Sequence, residues 1–337
     1  MKKVRVGIIG MGLRGQEHLK IYSQLPEVEV VAVSDIIKEK IVKISKEYNV
    51  SVYTDYIEML EKEDLDAVSI TTPDHLHKDP VIESAKAGKH ILCEKPLATT
   101  IKDAEEMVST AKKYRVKLMV NFFTRWLIPY IQAKEKIYKG DIGKPLFANS
   151  RTHDTVYVPT KMLSWASYSS VLFFLMSHTV DEVRWLLNDE VSEVYATSTS
   201  QVLRSMNINT SDYCQAILKF KGGASALLEA SWILPTTFPT IAMRCLEIVG
   251  EKGCIFIDTN RHRALEIYTN LEWNFPWIFS GEVYGKYIGA DRESISHFIK
   301  CIIQDKEPLA SGEDGLAVTK ILCAIQESLE KNKIIKI

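Results

Sequence analysis

The run Gly10-Met11-Gly12-Leu13-Arg14-Gly15 spaces three glycines so that a backbone can turn tightly around an anion. Gly10 serves the turn, Gly12 lets the chain approach a pyrophosphate, and Gly15 lets the next helix pack closely on the preceding strand. A helix opening there offers its unpaired N–H groups to phosphates. Asp35 stands 20 residues past Gly15, at the end of the second strand-like run, where a carboxylate accepts hydrogen bonds from ribose hydroxyls. Taken singly, the glycines read equally as a glycine-rich turn and Asp35 as a solvated strand end. A strand before, a helix after and Asp35 at that spacing together give a dinucleotide site. The same carboxylate repels a 2′-phosphate, and Ile36 and Ile37 supply no positive charge, Lys38 being the nearest. The cofactor expected is NAD rather than NADP. Lys95 is the second candidate, just beyond another short apolar run. An ammonium at the carboxyl end of a parallel strand can stabilise a developing alkoxide or relay its proton, with a pKa tuned towards neutrality by burial and the cofactor. Alone, Glu94-Lys95 also reads as a surface ion pair.

The elements that must position these residues are legible as short β-branched runs alternating with amphipathic stretches. Val4–Ile9, Val28–Val33, Ala67–Thr71, His90–Cys93 and Lys117–Asn121 read as buried strands. Ile37–Tyr48 places Ile37, Ile41 and Ile44 on one helical face, and Thr100–Tyr114 does so with Ile101, Ala104, Met107, Val108 and Ala111, capped by Thr99 or Thr100. That alternation predicts a doubly wound parallel sheet, a Rossmann domain over residues 1–123. The grammar then changes. A helix over Pro129–Tyr138 is followed by the break Gly140–Pro145 and a strand from Leu146. From Val191 to Tyr268 the runs alternate apolar and polar. Asp212–Phe220 and Ala224–Trp232 flank Lys221-Gly222-Gly223, and Cys245–Val249 and Cys254–Asp258 flank Gly250–Gly253, which predicts antiparallel hairpins. Residues 124–337 are expected to form an α+β domain on a large, mostly antiparallel open sheet, closed by helices near Arg292–Ile303 and Glu313–Glu330.

Composition sets the limits. With 337 residues, 46% hydrophobic and 25% charged, the chain is long enough for two ordinary globular domains. Lys+Arg and Asp+Glu nearly cancel, 42 against 43, which argues against a nucleic-acid partner held by phosphate contacts. Cys93, Cys214, Cys245, Cys254, Cys301 and Cys323 form no Cys-x-x-Cys pair and show no zinc spacing with histidine, so no metal is expected. They read as small buried hydrophobes in a reducing compartment. The longest apolar stretch, Val171 to Met176, is far short of the ~20 residues that span a bilayer, and the N-terminus enters a strand without a leader-like run. A cytoplasmic protein with no membrane partner is expected.

Two further segments, Thr71-Thr72-Pro73-Asp74-His75-Leu76-His77 and Ala87 to Glu94-Lys95-Pro96, carry a family likeness. With them the sequence resembles the glucose–fructose oxidoreductase, inositol dehydrogenase and MocA family (Gfo/Idh/MocA). The likeness runs on through Arg125-Trp126, His178 with Asp181, and the closing stretch from His297 through Pro308 to Ser328. It implies a Rossmann domain followed by an α+β domain whose open sheet mediates oligomer contacts, here a homodimer or homotetramer. It further implies hydride transfer between nicotinamide and a hydroxyl of a sugar, polyol or derivative. Thr71, Pro73, His75, Glu94 and Lys95 fall on family positions that touch the cofactor, and Lys95 also on the one facing the reacting hydroxyl. Thr72, His77, Asn121 and Arg125 complete the cofactor set, with Gly10, Met11, Gly12, Leu13, Arg14, Gly15 and Asp35. Read alone, Thr71 and Thr72 are also strand-ending β-formers, and His75 and His77 ordinary loop histidines.

One position departs from the family pattern, which places an aspartate four residues before its histidine so that both reach the substrate with the lysine. Here the histidine is His178 and the aspartate position holds Phe174. Arg151–Trp165, read as an irregular loop, offers His153, Tyr157 and Trp165 as substrate contacts in place of that carboxylate, or alternatively as parts of an oligomer interface. The expected activity is an NAD-dependent oxidoreductase on a carbohydrate-like hydroxyl, with Lys95 as acid/base and His178 as second proton-transfer or substrate-orienting group. Two alternatives accompany it: a glycosidase on the same fold that oxidises transiently, and a non-catalytic dinucleotide sensor.

Overall fold

The structure, a computed structural model, describes residues 2–259, 267–268, 273–274 and 280–337. The chain divides into two compact units, residues 1–123 with 280–319, and residues 124–279 with 320–337. The stretch 280–319, part of the 124–337 segment in the sequence reading, thus belongs to the first unit.

The first unit is built from β1 (Val4–Ile9), α1 (Leu13–Tyr22), β2 (Val28–Ser34), α2 (Lys38–Tyr48), β3 (Ser51–Tyr53), α3 (Tyr56–Lys62), β4 (Ala67–Ile70), α4 (Lys78–Lys86), β5 (His90–Cys93), α5 (Ile101–Lys113) and β6 (Leu118–Val120). The six strands lie in the order β3-β2-β1-β4-β5-β6, each pair parallel, the order of a doubly wound nucleotide-binding sheet. Helices cover both faces, so Val6, Ile8, Ala67, Val68, Ile70, Ile91, Leu92 and Cys93 are sealed from water, which explains their continuous apolar runs. The Thr100 hydroxyl caps α5 by accepting from the Asp103 N–H at 3.1 Å. Strand order reverses at β1, so the loops after β1, β4, β5 and β6 gather at the sheet's carboxyl edge.

The second unit begins with α6 (Ile128–Tyr138) and β7 (Pro145–Thr155), followed by α7 (Ser177–Leu187), β8 (Val191–Thr199), α8 (Val202–Ser205), β9 (Tyr213–Phe220), β10 (Ser225–Leu234), β11 (Ala242–Gly250) and β12 (Cys254–Asp258). Two short strands, β13 (Ile267–Tyr268) and β14 (Trp273–Asn274), pair with each other, while residues 260–266 of the alternating run lie outside the described residues. In the first unit, β15 (Ser280–Val283) and β16 (Lys286–Gly289) form a hairpin before α9 (Ala290–Ile303). Helix α10 (Gly312–Lys331) and β17 (Ile335–Lys336) end the chain. The large sheet runs β12-β11-β7-β10-β9-β8-β17 and is antiparallel except where β7 pairs with β10. Both hairpins expected from glycine-containing turns form, and Gly223 takes the positive φ (97°) that its turn needs.

One expectation is corrected. Arg151–Thr155 is the end of β7 and not part of a loop. Its two-residue period turns Thr152 and Asp154 into the core and His153 to the other side. Irregular backbone starts only afterwards, with a π-type turn over Val158–Met162.

Candidate active site

At the end of β1 the glycines meet three different demands. Gly10 has φ +93°, and a Cβ there would sit 2.9 Å from the backbone of Thr71 and Thr72. A Cβ on Gly15 would lie 1.9 Å from the Gly10 carbonyl oxygen, so α1 packs on the turn only because that atom is missing. Among the described residues, a Cβ on Gly12 would meet nothing within 4 Å, which leaves open space over the loop. No side chain caps α1 and its first turn holds no acid, so its N–H groups face that space. Asp35 is held at the loop by two backbone N–H donors, Met11 at 2.7 Å and Ile37 at 2.8 Å. An open glycine cradle, an uncapped helix start and an oriented carboxylate fit a dinucleotide with a free ribose diol. The side chains of the loop differ in use, Met11 being fully buried and Leu13 exposed.

The strand ends around this cradle are tied together by side chains. The Thr71 hydroxyl donates to the carbonyls of Gly10 (2.5 Å) and Ile9 (3.1 Å), fixing the end of β4 to the turn. Thr72 and Pro73 are half-buried and lead into a single helical turn, where His75 Nδ1 lies 3.5 Å from Asp74 Oδ1. His77 is buried, with Nδ1 2.8 Å from the Pro96 carbonyl and Nε2 3.0 Å from the Thr72 carbonyl. Its ring therefore sits between the loops after β4 and β5.

Glu94 is buried and its Oε1 collects donors from three side chains, two on α1 and one just after β6: Arg14 Nε (3.0 Å) and Nη2 (2.9 Å), His18 Nε2 (3.0 Å) and Asn121 Nδ2 (2.8 Å). Burial opposes the Glu94 charge, but Arg14 and these hydrogen bonds outweigh it and hold the carboxyl well below the ordinary range. Burial keeps His18 below its usual pKa, so its neutral ring donates from Nε2 and accepts at Nδ1 from Ser69 Oγ (2.8 Å), which Tyr22 reaches at 3.2 Å. Arg14 also bonds Asp291 of α9 at 2.9 Å and pairs with Glu17, whose other oxygen takes the Tyr287 hydroxyl. Burial lifts Glu17 to about 7 in spite of Arg14. Asn121 accepts from Ser294 Oγ at 2.6 Å, so both ends of its amide are used inside the unit. Lys95 stands half-buried beyond this knot, its N–H 3.4 Å from Glu94 Oε2.

In the second unit, Leu172–Met176 is a π-type turn running directly into α7, so Phe174 and the buried His178 stand one turn apart. Phe174 is flanked by Trp165 (ring centroids 5.8 Å, edge-on) and Trp232 (6.0 Å). Asp181 receives a two-pronged ion pair from Arg125 (3.0 and 2.6 Å), and Arg125 lies over the Trp185 ring. Glu182, pushed up to about 7 by burial against the pull of Arg244, accepts from Ser150 of β7 at 3.2 Å. His153 is not with these groups. It lines a concavity of about 230 Å³ on the opposite face of the sheet, 3.6 Å from Glu229 and beside Tyr213, Gln215 and Ser231. Tyr157 is exposed.

Sequence reading missed His18, Trp232, Tyr287 and Asp291. His18 had a signal, since it lies one helical turn after Arg14 on α1. Asp291 and Tyr287 had none, because their partners are 277 and 270 residues away.

Residues 4–122 match a family model described as the oxidoreductase family with an NAD-binding Rossmann fold, and residues 130–256 match the GFO/IDH/MocA C-terminal domain. The chain is 28% identical to the myo-inositol 2-dehydrogenase of Thermotoga maritima, over 99% of this chain and 98% of that one. It is 30% identical to the inositol 2-dehydrogenase of Salmonella typhimurium over 76% of this chain and 74% of that one. Scyllo-inositol dehydrogenase from Lactobacillus casei, solved with bound NAD(H) and scyllo-inositol, superposes with a TM-score of 0.85 at 22% identity, covering 99% of both chains.

Proposed function

The chain belongs to the Gfo/Idh/MocA oxidoreductase family, and on that premise we propose that it oxidises or reduces a ring or chain hydroxyl of a sugar- or polyol-like molecule. NAD, when bound, supplies the hydride acceptor or donor. The observation that carries the reading is the carboxyl edge of the first sheet. There an open glycine cradle, Asp35 bonded to that loop, and Lys95 beyond a pinned glutamate all gather.

The roles of the chain's own residues follow from their chemistry. Gly10, Gly12, Gly15 and the start of α1 hold the pyrophosphate, and Asp35 takes the ribose hydroxyls. Lys95 holds or receives the proton of the reacting hydroxyl. His178 gives the substrate a hydrogen bond. Beside it, the half-buried Trp165 and Phe174, backed by the fully buried Trp232, supply an aromatic surface, which suits the C–H face of a sugar ring or an apolar substituent better than a free hydroxyl. The relatives are named for inositols; this lining argues for a substrate with one less polar side.

No described helix is long and apolar enough to cross a membrane, and all six cysteines are thiols, as a reducing cytoplasm would keep them. A panel of inositols, aldoses, deoxysugars and sugar acids, followed by NADH absorbance, tests the proposal. Net NAD reduction by one class, lost in Lys95→Ala, is expected. Release of a sugar with no net NADH would assign the glycosidase chemistry instead. Silence across the panel, with NADH still bound, would favour a sensor.

A further inference from the structure

We propose that His77 is a positioning residue for Lys95, holding the backbone from which the lysine projects; this rests on the reading of Lys95 as the acid/base. His77 lies 1% exposed at the start of α4, where its own carbonyl accepts the Val81 N–H at 3.1 Å. From that anchored root the ring reaches two carbonyl oxygens of different loops, Thr72 (3.0 Å) after β4 and Pro96 (2.8 Å) after β5. A carbonyl oxygen only accepts, so a ring with a single N–H donates to one of the two carbonyls and rests against the other.

The placement matters because of what lies between the pinned atoms. Glu94, on one side of Lys95, is fixed through its carboxylate by Arg14, His18 and Asn121. Pro96, on the other side, is fixed through its carbonyl by His77. Lys95 is therefore bracketed in the chain by two immobilised residues. A lysine has a long flexible stem, so the position of its ammonium depends on how firmly its root is held. A shift of about 1 Å at a reacting group costs up to ~10²-fold in rate. The second contact has a further use. Through Thr72 it links the Lys95 loop to the strand end whose neighbour, Thr71, bonds the Gly10 carbonyl. The lysine is thus registered against the cofactor cradle and not merely against its own strand.

The test compares His77→Ala and His77→Gln, alone and with Lys95→Ala, in the full-length protein loaded with NADH. Gln keeps an N–H for one carbonyl and serves if the alanine variant folds poorly. Lys95 reactivity is read first, by brief labelling with acetic anhydride and mass spectrometry, with exposed Lys62 as internal reference. Labelling of Lys95 should rise about tenfold in His77→Ala and less in His77→Gln, as the loop opens locally, while Lys62 is unchanged. Turnover on the best member of the panel should fall ~10–10²-fold with NADH affinity kept within about threefold. In the Lys95→Ala background either His77 change should cost less than about twofold more, since its effect passes through the lysine. An equal cost in both backgrounds, or unaltered Lys95 labelling, overturns the proposal. Loss of NADH binding in both His77 variants also overturns it, because His77 would then hold the fold. Full turnover in Lys95→Ala alone would instead sink the acid/base reading while the labelling result still stood on its own.

Discussion

Replacing Lys95 by alanine removes one ammonium and leaves the cradle of Gly10, Gly12, Gly15 and Asp35 untouched. NADH should still bind with near wild-type affinity in a fluorescence titration, while turnover falls by ~10²–10⁴-fold, the usual worth of a placed acid/base. Asp35 carries the second expectation at this scale. Its carboxylate faces the loop through the Met11 N–H, and exposed Ile36 beside it offers no cation. Asp35→Ser with Ile36→Arg should therefore weaken NAD and strengthen NADP, by removing a repulsion and adding a phosphate partner. Calorimetry with both cofactors checks it, and wild type binding NADP more tightly would refute it. These residues were legible because their signals are local: three glycines, one acid at a fixed interval, one lysine behind an apolar run. Glu94 was not. The family likeness placed it at the cofactor, while its surroundings, an arginine and a histidine of α1 and an amide after β6, engage its Oε1 within the unit. Spacing along a chain carries no information about such a convergence.

Among the elements, the contact between α1 and the β1 turn separates two glycines that look alike in sequence. Gly15→Ala drives a Cβ onto the Gly10 carbonyl and should cost ~1–3 kcal/mol, seen as a lower melting temperature. Gly12→Ala meets no atom of the described residues, so stability should hold while NADH affinity drops, because the added methyl takes space that a pyrophosphate needs. The knot around Glu94 joins α1, β5, the residue after β6 and, through Arg14, α9, and its titration has a definite sign. With its carboxyl held well below the ordinary 4.5, the folded chain binds fewer protons than the unfolded one. The stabilisation is thus present above 4.5 and is lost as pH falls through the folded value. Glu94→Gln should melt lower at neutral pH and show a shallower loss of melting temperature on acidification; a parallel loss would show that Glu94 contributes nothing to acid unfolding. Strand identity and the two hairpins could be read from period and glycine turns. The parallel pairing of β7 with β10 could not, since a mixed sheet alternates like an antiparallel one. The cluster of aromatic and polar residues in 151–165 misled the reading towards a loop, when its first five residues continue a strand whose alternate side chains happen to be polar.

At the level of the whole chain, the family likeness covers both halves, yet the return of 280–319 to the first unit left no trace in local pattern. A helix such as α9 has the same periodicity whichever core it seals. The open face of the second unit's sheet poses the remaining question. Register aligns Tyr195, Ile217, Leu227, Asn149, Glu247 and Phe256 in one row across six strands. Of these Tyr195, Ile217, Leu227 and Phe256 are exposed, and Phe147 is exposed two residues along β7 from Asn149. The six strands of this row at ~4.8 Å spacing, taken over about eight residues at ~3.3 Å each, present roughly 750 Å². That is close to the ~800 Å² each partner gives to a standard interface, and an exposed apolar row flanked by polar side chains is the make-up of one. The family likeness implies that such a face joins copies of the chain, and the His153 concavity lies on it. Leu227→Glu with Ile217→Glu places two like charges at the centre of the row, where desolvating them on association is costly. Sedimentation velocity should then show wild type as a dimer or tetramer and the double variant reduced in size, with NADH affinity unchanged because the cradle lies in the other unit. A monomeric wild type at micromolar concentration, or a variant that sediments like it, would leave the aromatic and aliphatic row without a partner and remove His153 from any interface.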